Sequence, residues 1–282
     1  MPENIKIIQN FDWNITNKKL CIFMPNYHGK RYTEFSINQI STEMSKIDDY
    51  VIIIGDDNTS DNFDNLKDKN VYYFSIQRED KNSRNGCFVR NYAIKNCQSE
   101  LFFQKDGEVV VYGDFIKNCI YSNEGWRAGN IFVLNDEQTR KYLAEVNFNN
   151  FKKSPTKIIE RNLPRNVYEV KRLILEANGN VNLSSYFHYA FCVKTKILQY
   201  MRGYDEDFNY YGFEDSDMFC RLFYLNQYLI PDYTCAAIHI NHARETINQQ
   251  ELTKMYDLFK EKDPKDFIRN QSGDWGRGIK SD

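Results

Sequence analysis

Short apolar runs alternate with amphipathic stretches through the first hundred residues. Lys18–Pro25 is apolar from Leu20 to Met24 and stops at a proline, the pattern of a short buried strand. After a polar loop, Asn26-Tyr27-His28-Gly29-Lys30, the segment Tyr32–Met44 places Phe35, Ile37 and Ile40 on one side and predicts a helix. Tyr50-Val51-Ile52-Ile53-Ile54 predicts a second buried strand that ends at Gly55-Asp56-Asp57-Asn58. Val71–Phe74 predicts a third strand and Cys87–Cys97 a helix. Leu101-Phe102-Phe103 predicts a fourth strand, running straight into Lys105-Asp106-Gly107-Glu108.

Strands that alternate with helices predict an α/β fold with a mostly parallel central sheet flanked by helices. Such sheets bind ligands beyond the carboxyl ends of their strands. The polar loops after the first, second and fourth strands all fall at that edge, so Asp56-Asp57 and Asp106-Gly107-Glu108 are expected to converge. The second half is less regular. It predicts strands over Asn130–Leu134, Tyr186–Val193 and Thr234–Ile240, and helices over Glu137–Val146, Thr195–Met201, Ser216–Asn226 and Glu251–Lys260. The basic segment Lys152–Arg165 reads as a loop. The tail from Asn270 is Gly-rich and polar, with Trp275. No repeat or interdomain linker appears, which predicts one domain over 1–245, followed by a helix and a flexible tail over 246–282.

Composition narrows the function. A chain that is 41% hydrophobic and 15% aromatic is globular. A net charge of −2 carries no basic excess for nucleic acid. No run of about 18 apolar residues is present to span a bilayer, and the N-terminus lacks a signal pattern. The seven cysteines form no CxxC pair and read as buried reduced thiols of a cytoplasmic protein.

The densest chemistry lies in Gly203–Leu222, where carboxylates crowd a Gly- and Tyr-rich loop before an apolar helix. Crowded carboxylates cost electrostatic energy, which points to use. Asp215 stands at the expected N-cap of that helix, where an Asp is also an ordinary cap. An ionised carboxylate there, facing a cleft, can take a proton from an attacking hydroxyl. Asp106 and Glu108 can share a divalent cation, although acid-x-acid triplets are common on surfaces. His239 and His242 close the last strand. In a continuing strand they would face opposite sides, and in a turn both would reach one ion. Imidazole with carboxylate favours Mn²⁺ over Mg²⁺. Arg90, in the helix leading to the acidic triplet, suits a phosphate or base contact.

In order, Met24-Pro25-Asn26-Tyr27, Ile54-Gly55-Asp56-Asp57-Asn58, Arg90-Asn91 and Asp106-Gly107-Glu108 resemble the motifs of GT-A fold, GT2-like glycosyltransferases. The segment Tyr210–Asp217 with Arg221-Leu222, and His239–Arg244, are similar to segments of β-1,4-galactosyltransferases and of bacterial chondroitin-polymerase-like domains. The resemblance implies a Rossmann-like GT-A domain, with a nucleotide-sugar half over 18–110 and an acceptor half over 111–245. It implies inverting, metal-dependent transfer by single addition from a UDP-sugar to a glycan, a lipid-linked glycan or a protein, with room for peripheral membrane association. Donor contacts fall on Pro25, Tyr27, Asp56, Asp57, Arg90 and Asp106. Metal ligands fall on Asp106, Glu108, His242 and His239, and acceptor contacts on Tyr211, Gly212, Glu214 and Asp217, with Asp215 as the base. The loop Asn209–Phe213 and the tail at Trp275 are expected to close over bound donor. Glu108 and Ser216 depart from the family pattern and leave room for a non-catalytic sugar-nucleotide- or glycan-binding relative. A sugar-phosphate nucleotidyltransferase is disfavoured, because the first loop holds only Gly29.

Overall fold

The computed structural model describes residues 5–59, 61–79, 86–112, 115–121, 126–133, 136–137, 139–140, 190–225, 229–242, 247–271 and 275–276. The predicted loop Lys152–Arg165 and most of the predicted helix Glu137–Val146 lie outside them. Nine strands form one sheet among the described residues: β1 (Ile5–Gln9), β2 (Leu20–Asn26), β3 (Tyr50–Asp57), β4 (Val71–Arg78), β5 (Leu101–Lys105), β6 (Val109–Tyr112), β7 (Trp126–Val133), β8 (Ala190–Lys194) and β9 (Leu229–His239). Their spatial order is β1-β4-β3-β2-β5-β8-β7-β9-β6. The central strands β4, β3, β2 and β5 are parallel. Beyond β5 the sheet is mixed, with β8 antiparallel to both β5 and β7.

Among the described residues six α-helices accompany the sheet: α1 (Lys30–Glu43), α2 (Gly86–Asn96), α3 (Phe115–Tyr121), α4 (Thr195–Tyr200), α5 (Glu214–Tyr224) and α6 (Gln249–Glu261). They cover both faces. Leu20, Ile22 and Met24 of β2 pack with Ile37 and Ile40 of α1 and with Phe115 of α3. Cys21 and Phe23 point the other way, into a core with Val89 of α2, Leu198 of α4, Phe219 of α5 and Phe259 of α6. A strand buried on both faces needs apolar residues at every position, which is why β2 reads as an unbroken run.

The strands are longer than the apolar runs that announce them. β3 does not stop at Gly55: its ladder continues, Asp56 opposite Ser75 and Asp57 opposite Ile76. Pairing carries polar residues into the sheet edge, and hydrophobicity alone does not mark that. β1 and β6 had no predicted counterpart. β1 is an edge strand with only alternate residues half-buried. β6 is a run of three valines and a tyrosine, a β-branched signal overshadowed by the acidic triplet before it.

Candidate active site

At the carboxyl edge of β2 to β4 the two adjacent aspartates have separate fates. Residues next to each other in a strand face opposite sides. Asp56 is fully buried and accepts from Asn26 Nδ2 (2.8 Å), from Ser75 Oγ (3.1 Å) and from both the amide (3.1 Å) and the hydroxyl of Thr59. Burial pushes its carboxyl up and these donors pull it back. Its oxygens are taken by the chain, so it fastens the loop after β3. Asp57 pairs with Arg78 at the end of β4. Arg78 was not singled out from sequence, because β4 was expected to end at Phe74. Pro25 lies opposite Gly55 in the β2–β3 ladder. The half-buried Tyr27 follows the strand with its ring against His28, 4.6 Å between centroids.

The acidic triplet forms the turn from β5 to β6. α1 lies directly over it: a Cβ on Gly107 would sit 2.2 Å from Thr33 Oγ1. Gly107→Ala is therefore expected to cost about 1–3 kcal/mol by overpacking. Adding Thr33→Ala is expected to recover most of that loss, and thermal denaturation of the two variants checks the coupling.

β6 then pairs antiparallel with β9, Val109 opposite His239, and Ile240 N donates to the Glu108 carbonyl at 3.0 Å. This register delivers the histidines to Glu108. His242 Nε2 is 3.2 Å from Glu108 Oε1 and His239 Nε2 is 3.8 Å from it. One ligand atom from each of the three lies within 4.8 Å of the others. The chain leaves the strand after His239, so both rings reach one point. Burial works against the Glu108 charge, but the hydrogen bond from His242 and the charges of both histidines hold it down at about 2.

Asp106 is not part of that trio. It turns towards Arg90, whose Nη2 lies 3.8 Å from its Oδ1. Burial and the charges of Glu108 and Asp215 push Asp106 up to about 8, against Arg90 and Lys105. Lys105, missed in the sequence, is fully buried beneath the turn. Its Nζ donates to Ser36 Oγ at 2.7 Å and to the Asp106 carbonyl at 2.8 Å. A lysine ending an apolar strand just before two acids was the available signal.

Asp215 is not the N-cap of α5. Phe213 holds that position with φ 68°, and Asp215 is the second helical residue. Left-handed backbone is costly for a side chain as large as Phe. Here its ring packs on Tyr256 and Phe259, with centroids 5.4 and 5.6 Å away. The Arg90 charge and the Tyr204 hydroxyl both act on Asp215. Burial pushes its carboxyl up and those two groups oppose the rise. Its Oδ1 is buried and accepts no hydrogen bond among the described residues. Burial also disfavours the Arg90 charge, but Asp215, Tyr204, Asp106 and Glu214 more than offset it.

The other predicted acceptor residues divide. Glu214 accepts from Gly212 N at 2.9 Å, beside Asp215. Tyr211 is 45% exposed. Asp217 is not brought to the cluster: it is 2% exposed and bound on both oxygens, by Arg221 Nε at 2.6 Å and Arg269 Nη2 at 3.2 Å. Asn91 is fully buried and ties α2 to the loop before α5, bonding both the amide and the carbonyl of Tyr204. Only a glycine fits at 203, where φ is +68° and a Cβ would meet Asn91 Oδ1 at 2.1 Å. Trp275 packs against Gly203, and its carbonyl accepts from Lys95 at 3.0 Å. The loop ahead of α5 is fastened to α6, where Asn248 N donates to Tyr210 Oη at 3.1 Å.

No protein-family model and no curated protein matches the chain. Solved structures do. S. aureus TarS 1–349 in complex with UDP-GlcNAc superposes with a TM-score of 0.51 at 14% identity, over 86% of this chain and 65% of that one. S. aureus TarS superposes with a TM-score of 0.50, also at 14% identity, over 86% of this chain and 39% of that one. The chain thus spans less than two thirds of either. At such identity the likeness speaks to architecture alone, and the architecture of this chain is the GT-A glycosyltransferase fold.

Proposed function

We propose that the chain is an inverting, metal-dependent glycosyltransferase that moves one sugar from a nucleoside-diphosphate donor, a UDP-sugar, to an acceptor hydroxyl. One observation carries this reading. The edge of a GT-A sheet gathers a carboxylate–imidazole trio (Glu108, His239, His242) and an Arg90–Asp106–Asp215 cluster. Asp57 and Arg78 offer an acceptor and a donor to the nucleobase side of the donor molecule. Arg90, held as a cation among carboxylates, suits the diphosphate. Asp215 would take the proton from the attacking acceptor hydroxyl, on the face of the sugar opposite the diphosphate.

Glu108, His239 and His242 would hold the divalent cation. Their donor set, one carboxylate oxygen and two imidazole nitrogens, fits Mn²⁺ better than Mg²⁺, which prefers oxygen shells. When bound, such an ion offsets the negative charge that grows on the leaving diphosphate. Asp106 faces Arg90, so its part in holding the ion is smaller. Glu108→Ala and His242→Ala are accordingly expected to abolish Mn²⁺ binding measured by calorimetry, with Asp106→Asn reducing it less. Equal losses for all three would assign Asp106 to the ligand set as well.

The acceptor is a hydroxyl of a glycan, a lipid-linked glycan or a protein. No helix among the described residues is long and apolar enough to cross a membrane. The deciding experiment is UDP release from a panel of UDP-sugars, UDP-GlcNAc first, with and without Mn²⁺, in wild type and Asp215→Asn. Mn²⁺-dependent release lost in the variant supports the reading. Nucleotide binding with no release from any donor and acceptor pair would favour a non-catalytic binding protein instead.

A further inference from the structure

Arg90 is held from three sides. Its Nη2 lies 3.8 Å from Asp106 Oδ1, and its guanidinium carbon lies 5.2 Å from the centroid of the buried Tyr204 ring. The third side is its own helix. Side chains on a helix lean towards its N-terminus and cover the turn behind them. Arg90 therefore lies back over Gly86, the first residue of α2. A Cβ at Gly86 would stand 2.5 Å from Arg90 Nη1 and 3.6 Å from its Cζ. The same turn carries Phe88, whose ring centroid lies 5.9 Å from the Arg78 guanidinium. The start of α2 thus touches both arginines proposed for the donor.

The local backbone does not call for a glycine at this place. Gly86 is helical and is not among the residues with positive φ, and alanine is the better helix former. What alanine lacks is room for the guanidinium. A separation of 2.5 Å is well inside van der Waals contact, about 3.5 Å, so a methyl group at 86 displaces the guanidinium by about 1 Å. The end of an arginine side chain can yield, so the change falls on where the charge sits and not on the fold. We infer that Gly86 is a positioning residue: its missing side chain lets the Arg90 guanidinium lie back along α2, between Asp106 and Tyr204, where it meets the donor diphosphate. This role rests on Arg90 as the diphosphate contact proposed above.

Calorimetry of the intact chain, with UDP as the probe in the presence of Mn²⁺, tests this without any turnover. Gly86→Ala is expected to bind UDP about 10-fold more weakly and Arg90→Ala about 10–100-fold more weakly, the range of a hydrogen bond to a charged group. The two losses should not add, because position 86 has nothing left to displace once Arg90 is replaced. Arg90→Lys serves if Arg90→Ala does not fold, since lysine has no Nη1 branch to meet position 86. Binding of uridine, which lacks the diphosphate, should be unchanged in Gly86→Ala, with a melting temperature equal to or above that of wild type. Wild-type UDP affinity in Gly86→Ala, or losses that add in the double variant, overturns the role of Gly86. An equal loss for uridine also overturns it, because α2 itself would then have been distorted. Wild-type UDP affinity in Arg90→Ala overturns Arg90 as the diphosphate contact, and this role with it.

Discussion

Asp215→Asn is expected to lower turnover by about 10²–10⁴-fold, the range of positioned acid–base catalysis. The substitution is nearly isosteric, so α5 and the packing of Phe213 on α6 should persist. What it removes is the one carboxylate of the cluster that has a buried oxygen with no hydrogen bond among the described residues and that is held in the field of the Arg90 charge. Stability should not fall with activity. Asp215 raises the carboxyls of Asp106 and Glu214 by repulsion, so a neutral amide relieves two like-charge contacts while Arg90 keeps Asp106. The expected signature is therefore a large loss of kcat, donor KM little changed, and a Tm equal to or above that of wild type. Turnover within a few-fold of wild type would remove Asp215 from the mechanism.

Arg221→Met is expected to destabilise the chain by about 3–5 kcal/mol, the cost of leaving a buried charge without its partner. Arg221 is fully buried. Its Nε lies 2.6 Å from Asp217 Oδ2, and its Nη1 donates to the carbonyls of Gly203 (3.0 Å) and Phe267 (3.3 Å). Asp217 continues to Arg269, at 3.2 Å. Arg269 Nε lies 3.3 Å from Asp205 Oδ2, and Lys262 Nζ lies 2.8 Å from the same oxygen and 2.6 Å from Asp207 Oδ2. Arg221, Arg269 and Lys262 thus balance Asp205, Asp207 and Asp217. The network fastens α5 and the segment after α6 to the loop that carries Tyr204. Methionine keeps much of the length and removes every donor, so Asp217 loses its closest cation. Denaturant unfolding reads the loss directly, and the melting temperature is expected to drop by roughly 5–8 °C. A cost under about 1 kcal/mol would put the network on a par with exposed ion pairs.

The crowding of carboxylates around α5 was legible in the sequence, but not their division of labour. Asp215 and Asp217 are two residues apart on a helix, and at 3.6 residues per turn they point in nearly opposite directions. Helical phase alone says that only one of them can face the cleft. Which one does follows from where Arg221 and Arg269 lie, and Arg269 comes from beyond α6. Asp56 and Asp57 repeat the lesson in a strand. Alternation separates them, and the contacts from Asn26, Thr59 and Ser75 on one side and Arg78 on the other decide their roles.

By itself the sequence determined the strands of the central sheet, the edge at which polar loops gather, and the residue types brought there. Those features depend on neighbours in the chain: apolar runs that must be buried, and turns that must be polar. Only the tertiary structure decided that Glu108 joins His239 and His242 while Asp106 joins Arg90. That choice rests on the β6–β9 register and on α2 packing across β2 and β3. The pairing joins segments far apart in the chain, and its free energy belongs to the sheet and its two cores as a whole, not to any local pattern.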